Sequence, residues 1–195
     1  MIKASKVQAQ IRQLQQYDVA VDNFDLNYKG LPGDSQYFTP AGNNNYKVQS
    51  STSTYFPWNG EISNFFTHLS DNGFNPDGIS FSNDATSGLT VGTHVPQTIL
   101  GSDTTGMFFY WSTDTYQWWY LVDTVPSVTV NLGGELNSGT SATIAISDAL
   151  AMDAKMDDGV GNTGQMTASC ATSGTTYNMA NSDDECRVWV KYGAN

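Results

Sequence analysis

The sequence predicts an α+β fold, with a long N-terminal helix packed on an antiparallel β-sheet, a short second helix and a disulfide-closed C-terminal loop. Three observations predict it. Apolar residues recur at helical spacing over residues 3–28. Two aromatic-rich runs, 107–111 and 117–123, flank the short stretch Ser112-Thr113-Asp114-Thr115-Tyr116, a hairpin signal. Residues 127–132 and 187–192 alternate apolar with polar side chains, as half-buried strands do.

In the first helix Val7, Ile11, Leu14, Val21, Phe24 and Tyr28 form one stripe, with Tyr17 beside it and Gln8, Arg12, Gln15 and Gln16 opposite. The stripe residues Val7, Ile11, Leu14, Val21 and Phe24 are the candidates for helix packing and assembly. Asp18 and Asp25 sit on or near the stripe and weaken it. Gly30 and Pro32 stop the helix. At ~1.5 Å per residue it would be roughly 40 Å long. A helix this long at the very start reads as an ordinary packing helix, or as the distal half of a longer one whose first half was removed before Met1.

Residues 33–57 carry turn chemistry: Gly33-Asp34, Pro40, Gly42-Asn43-Asn44-Asn45 and Pro57. A second helix is expected over 61–71, capped by Asn59, with Ile62, Phe65, Phe66 and Leu69 on its buried face. A third is expected to start from Ser147 as its cap, run through Ala149, Leu150, Met152, Ala154 and Met156, and end at Asp158-Gly159. No repeat and no linker divides the chain. It reads as one domain over residues 1–195: the helix to residue 30, a connecting region over 31–105, then sheet and C-terminal loop over 106–195.

Charge excludes some partners. The net charge is −11, but residues 1–29 carry +1 and the remainder −12. No Lys or Arg occurs between Val48 and Ala154. Phosphate backbones are bound largely through such cations, so the main body does not read as a nucleic-acid or anionic-membrane binder. Only 14% of residues are charged. Surface polarity must come from Ser, Thr, Asn, Gln and Gly, as in many exported β-rich proteins.

Cys170 and Cys186 lie in a stretch poor in large apolar residues. As a disulfide they would close a short loop, worth ~3 kcal/mol, and would imply the periplasm or cell exterior. The alternative is two buried free thiols. No apolar run approaches the ~20 residues of a membrane-spanning helix, and no signal peptide is visible.

Asp153, Asp157, Asp158 and Asn162 bring several hard oxygens to one tight turn, as Ca²⁺ requires. The spacing is not that of an EF-hand, and helix capping followed by a solvated turn reads the same residues. Lys155 would pair with an Asp and lower cation affinity. Asp183-Asp184-Glu185 is a second acidic group, read as a solvated run. The two histidines lack zinc spacing; His68 is expected to complete a helix surface, and His94 a strand or turn. Trp111, Trp118 and Trp119 invite a sugar-stacking reading. Trp118 and Trp119 are adjacent in a strand, so one faces the core and the other is a subunit contact or ligand platform. No nucleophile motif or phosphate loop is present, and the chain does not read as an enzyme.

Three segments carry a resemblance. Phe24-Asp25-Leu26-Asn27-Tyr28-Lys29-Gly30-Leu31-Pro32-Gly33-Asp34 resembles F-x-x-K-Y-x-x-L-P-G-D, which follows the N-terminal helix in a group of prepilin-type proteins; Asn27 stands where the basic residue is usual. Glu61 with Phe65, Phe66, His68 and Leu69 resembles their E-x-x-x-x-W-x-H-L helix. Ala151-Met152-Asp153-Ala154-Lys155-Met156-Asp157-Asp158-Gly159 with Asn162, Thr163 and Gly164 resembles I-D-x-K-x-D-D-G-x-P-x-T-G, with Val160-Gly161 at the usual place of a Pro. The order is kept over about residues 20–165. The chain thus resembles the soluble part of the type IV pilin-like family, which includes the pseudopilins of type II secretion.

The resemblance implies a pilin-like fold and a filament subunit anchored in the inner membrane before assembly. The anchor would be an apolar half-helix absent from residues 1–195. The partners implied are other pilin or pseudopilin subunits, at the periplasm or cell surface. A secreted carbohydrate-binding or adhesive β-rich domain is the competing expectation.

Overall fold

The computed structural model describes residues 2–49, 60–84, 89–111, 116–123, 143–171, 177 and 185–193. In chain order the elements are α1 (Ile2–Tyr28), α2 (Glu61–Asp71), β1 (Thr105–Trp111), β2 (Gln117–Asp123), β3 (Ile144–Ala145), α3 (Ile146–Met156), β4 (Met166–Ala168), β5 (Glu185–Cys186) and β6 (Val188–Lys191). Strands β1-β2-β6-β4 form one antiparallel sheet, and β3 pairs with β5. The fold is α+β.

The stripe of α1 is buried along its length, from Val7 through Ile11, Leu14, Tyr17 and Val21 to Phe24. It packs chiefly on α3 and α2. One link to the sheet is Trp119, whose ring meets Tyr17 at 5.8 Å and whose Nε1–H donates to Asp18 at 2.7 Å. Asp18, a flaw in the stripe by pattern alone, is therefore a buried acceptor for the central tryptophan. Gln10 and Gln13 are buried too, and serve as backbone partners. Gln10 Oε1 accepts from the N–H groups of Ile99 (2.7 Å) and Leu100 (3.1 Å), and Gln13 Nε2 donates to the Gln97 carbonyl at 2.9 Å. An unpaired backbone group costs far more buried than exposed. The two amides thus fasten an irregular segment to the helix.

The register Phe109↔Trp119 and Phe108↔Tyr120 puts Met107, Phe109, Trp119 and Leu121 on one face of the sheet. Phe65 of α2 stacks on Phe109 at 4.6 Å and meets Trp119 edge-on at 5.7 Å, which joins α2 to that face. The other face carries Phe108, Tyr110, Trp118 and Tyr120, also buried. Trp118 is only 6% exposed, so the expected division into one core and one surface tryptophan does not hold. Trp111 is half-buried, with the Lys47 ammonium 4.0 Å from its ring centre.

Helix α2 has the expected bounds, but the residue before it is Gly60, with no side-chain cap; Asn59 lies outside the described residues. Helix α3 starts one residue ahead of the expected cap. Ala145, extended at φ −55° and ψ 139°, ends β3 and precedes the helix, so Ser147 lies inside the first turn. The last expected strand, 187–192, is β6, one residue shorter at each end. At Arg187, between β5 and β6, the N–H donates to Ser169 Oγ and the carbonyl accepts from Ser169 N–H, each at 3.0 Å. The expected strand 127–132 lies outside the described residues, as do Asp183 and Asp184; Glu185 opens β5 and is exposed. Cys170 and Cys186 form a disulfide with Cα atoms 5.2 Å apart. Among the described residues no helix is long and apolar enough to cross a membrane.

Candidate cation site and outer helix face

Helix α3 turns Ile146, Ala149 and Met152 inward, and Asp153 falls on the same buried side. The helix ends at Met156, with the Asp157 N–H donating to the Asp153 carbonyl at 2.7 Å. Gly159, at φ +76°, then reverses the chain into a conformation that a side chain strains. The turn is held by its own acids. Asp158 Oδ1 accepts from Val160 N–H at 2.8 Å, and Oδ2 from Thr163 Oγ1–H at 2.7 Å. Asp157 Oδ2 accepts from the N–H groups of Gln165 and Met166. Gly164 leaves room for this, because a Cβ there would lie 1.9 Å from that oxygen.

These bonds account for Asp157 and Asp158 as capping residues. They do not account for Asp153. Its side chain is 0% exposed; Oδ2 accepts from the Tyr177 phenol at 2.8 Å, and Oδ1 has no hydrogen-bond partner among the described residues. One carboxylate oxygen from each of Asp153, Asp157 and Asp158 lies within 4.8 Å of the others. Burial raises the Asp153 carboxyl above its ordinary range, and the charges of Asp158 and Asp157 add to this, against hydrogen bonding from the Tyr177 phenol and the Gly159 backbone. Burial and the Asp153 charge likewise push the Tyr177 phenol upward. Asn162, expected as a fourth ligand, is exposed and makes no hydrogen bond to the three acids among the described residues. Lys155 is exposed and forms no ion pair with them among the described residues.

The other two motif segments meet in a second polar cluster. Gly33 turns at φ +81°, and a Cβ there would lie 2.1 Å from the Glu61 carbonyl oxygen. Its N–H donates to His68 Nδ1 at 2.9 Å. Asp34 accepts from the N–H groups of Asn45 (3.2 Å) and Tyr46 (2.6 Å), and Glu61 from those of Asn43 (3.1 Å) and Gln49 (3.0 Å). Two buried carboxylates thus hold one connecting loop. Burial, reinforced by Asp34, pushes the Glu61 carboxyl up to about 7. His68 is 3% exposed, contrary to its expected surface position, and lies between Phe24 and Phe38. Burial pushes it down to about 4, so it is neutral at pH 7. The sequence pattern does not reveal these roles because their partners are distant in sequence. His94 sits in a turn, as expected, with Nε2 at 2.9 Å from Asp84 Oδ1 and Nδ1 accepting from Thr90 N–H.

The five stripe residues Val7, Ile11, Leu14, Val21 and Phe24 all serve the core of the subunit itself. A contact with a neighbouring molecule would therefore fall on the opposite face of α1. There Val19 is 56% exposed and Leu26 67%. Beside Val19 runs an open groove of about 460 Å³, lined by Arg12, Gln16, Asn23, Phe74 and Pro76 among others.

Comparison of the chain with protein-family models, with curated proteins and with solved structures gives no match.

Proposed function

We propose that this chain is the exported head of a type IV pilin-like filament subunit, of a pilus or of a type II secretion pseudopilus. The observation that carries the reading is the outer face of α1. The 27-residue helix satisfies its apolar stripe within the subunit, yet still presents Val19 and Leu26 to solvent beside a groove edged by Phe74 and Pro76. An open filament forms when one such face meets a different face of the next copy and the contact repeats without closing.

The three resembling segments add support. Gly33, Asp34, Glu61, His68 and Asp153 are tied into buried polar contacts that hold the connections around α1 and α3, which is why such motifs would persist in a shared fold. On this reading the subunit is held in the inner membrane before assembly by an apolar segment ahead of residue 1. Of the three tryptophans named for a sugar platform, Trp118 and Trp119 are buried and Trp111 is half-buried.

The natural gene upstream of Met1 tests the reading. A prepilin-type leader followed by an apolar helix is expected. A Sec signal joined directly to this domain, or a natural start at Met1, overturns it.

A further inference from the structure

We propose that Asp34 and Glu61 share one proton, and that its loss releases residues 42–47 from the end of α1, so that the pair acts as a pH-operated clasp. The two residues are 0% and 8% exposed. They hold one loop from two sides. Asp34 accepts from the amides of Asn45 and Tyr46, and Glu61 from those of Asn43 and Gln49. Donors so close along the chain bring the two carboxyl groups into hydrogen-bonding contact with each other. Among the described residues no Lys, Arg or His forms an ion pair with either. Two bare carboxylates side by side in a buried place repel each other and lose hydration. One proton between them removes the repulsion and supplies a hydrogen bond.

The loop is placed to open. Asn43, Asn45 and Tyr46 are exposed. Asn44 and Tyr46 hold left-handed backbones, at φ +56° and +61°, which strain a side chain. Asn44 sits against the end of α1, where a Cβ on Gly30 would lie 2.2 Å from its Oδ1. Tyr46 ties that end to the hairpin: its phenol donates to Asp25 at 3.0 Å, and its carbonyl accepts from Gln117 Nε2 at 2.9 Å. Val48 is fully buried, and its carbonyl accepts from the Trp111 N–H at 2.9 Å on the edge of the sheet. Val48 is thus the anchor. Release of residues 42–47 would uncouple the end of α1 from the β1–β2 hairpin while the core stays shut.

The other titratable groups nearby are engaged elsewhere. Asp25 of α1 holds the Tyr46 phenol, and Lys29 is exposed. The Lys47 ammonium lies over Trp111, and His68 of α2 accepts from the Gly33 amide. Strand β1 brings no charge. Burial raises the Glu61 carboxyl, its two amide bonds oppose this, and the Asp34 charge adds to it. The closed loop therefore favours the protonated pair, and the pair titrates as a unit. Closure is strongest on the acid side and weakens as pH rises toward neutrality.

Hydrogen exchange of the Asn43, Asn45 and Tyr46 amides tests this between about pH 5.5 and 8, corrected for the change of intrinsic exchange rate with pH. The window lies above the range in which folded His68 takes up a proton. Protection of the three amides should fall by about tenfold or more across it, since opening releases the proton. It should also stay below the protection of the β2 amides, which lie between β1 and β6 and open only with the whole fold. In Glu61→Gln, whose amide donates to Asp34 at every pH, loop protection should not change with pH. Should that variant fail to fold, Asp34→Asn removes the neighbouring charge and should weaken the pH dependence. Loop protection that is independent of pH in the native chain would overturn the proposal. So would loop protection equal to that of β2, or the native pH dependence in whichever variant folds.

Discussion

Replacing Glu61 by Gln should stabilise the domain above neutral pH and uncover an acid sensitivity that the native chain masks. Glu61 titrates at about 7 in the folded protein against an ordinary 4.5. Between those values the folded state holds more protons than the unfolded state, so stability falls as pH rises through the window. At 1.36 kcal/mol per pH unit the full effect is ~3 kcal/mol. His68 works in the opposite sense. It titrates at about 4 in the folded protein against 6.5, so the unfolded state holds more protons and stability falls as pH drops from 6.5 to 4. Its effect is also ~3 kcal/mol by the same conversion.

Over about pH 4.5–6.5 the two slopes oppose each other in the native chain. In the Glu61→Gln variant the side-chain amide cannot titrate, and it can donate to Asp34. Its single oxygen keeps one of the two loop N–H groups that Glu61 accepts, at a cost of ~1 kcal/mol for the other. The expected net gain at pH 8 is therefore ~2 kcal/mol, or about 4–8 °C in melting temperature. The expected loss between pH 7 and 4, relative to the native chain, is ~3 kcal/mol. Urea unfolding at several pH values, followed by tryptophan fluorescence, measures both; taking the difference between the two proteins removes the carboxylates they share. A Glu61→Gln protein that is less stable at pH 8, with the native pH profile, would refute the reasoning.

Three further outcomes follow from the same structure. Trp119→Phe removes the Nε1–H donor to buried Asp18 and part of a fully buried ring, and should cost ~2–4 kcal/mol in urea unfolding; a loss below ~0.5 kcal/mol would contradict the role given to that bond. Gly33→Ala places a Cβ against the Glu61 carbonyl at a positive φ, and should cost at least ~2 kcal/mol, whereas Gly73→Ala, with open space around it, should cost only ~1 kcal/mol. The double variant Cys170→Ser, Cys186→Ser opens a loop of 16-residue separation and should lower stability by ~3 kcal/mol; a native melting curve would show that the loop needs no covalent closure.

The parts of the fold legible in the sequence are those set by local periodicity. The stripe from Val7 to Phe24 is the buried side of α1, and the hairpin runs form β1 and β2. Gln8, Arg12, Gln15 and Gln16 do face solvent. Periodicity treats every polar residue as outward, and there it fails. Gln10, Asp18, Glu61 and His68 are buried because partners far along the chain satisfy them: the Ile99 amide, the Trp119 indole, the amides of Asn43 and Gln49, and the Gly33 amide. The start of α3 escapes the pattern for a related reason. A strand residue, Ala145, stands where a capping side chain is expected, and its extended backbone follows from pairing with Glu185.

In the candidate cation site the three acids are legible from their spacing. The arrival of Tyr177 is not, since it comes from the loop closed by Cys170 and Cys186.

Filament assembly through the outer face of α1 is tested most directly by Val19→Asp combined with Leu26→Asp, expressed from the natural gene in its own cells. Both side chains are exposed in the subunit, so its urea stability should change by less than ~0.5 kcal/mol. Filaments counted by electron microscopy should fall at least tenfold while subunit abundance is kept. Native numbers of filaments in the double variant, or none in the unmutated cells, would contradict the account.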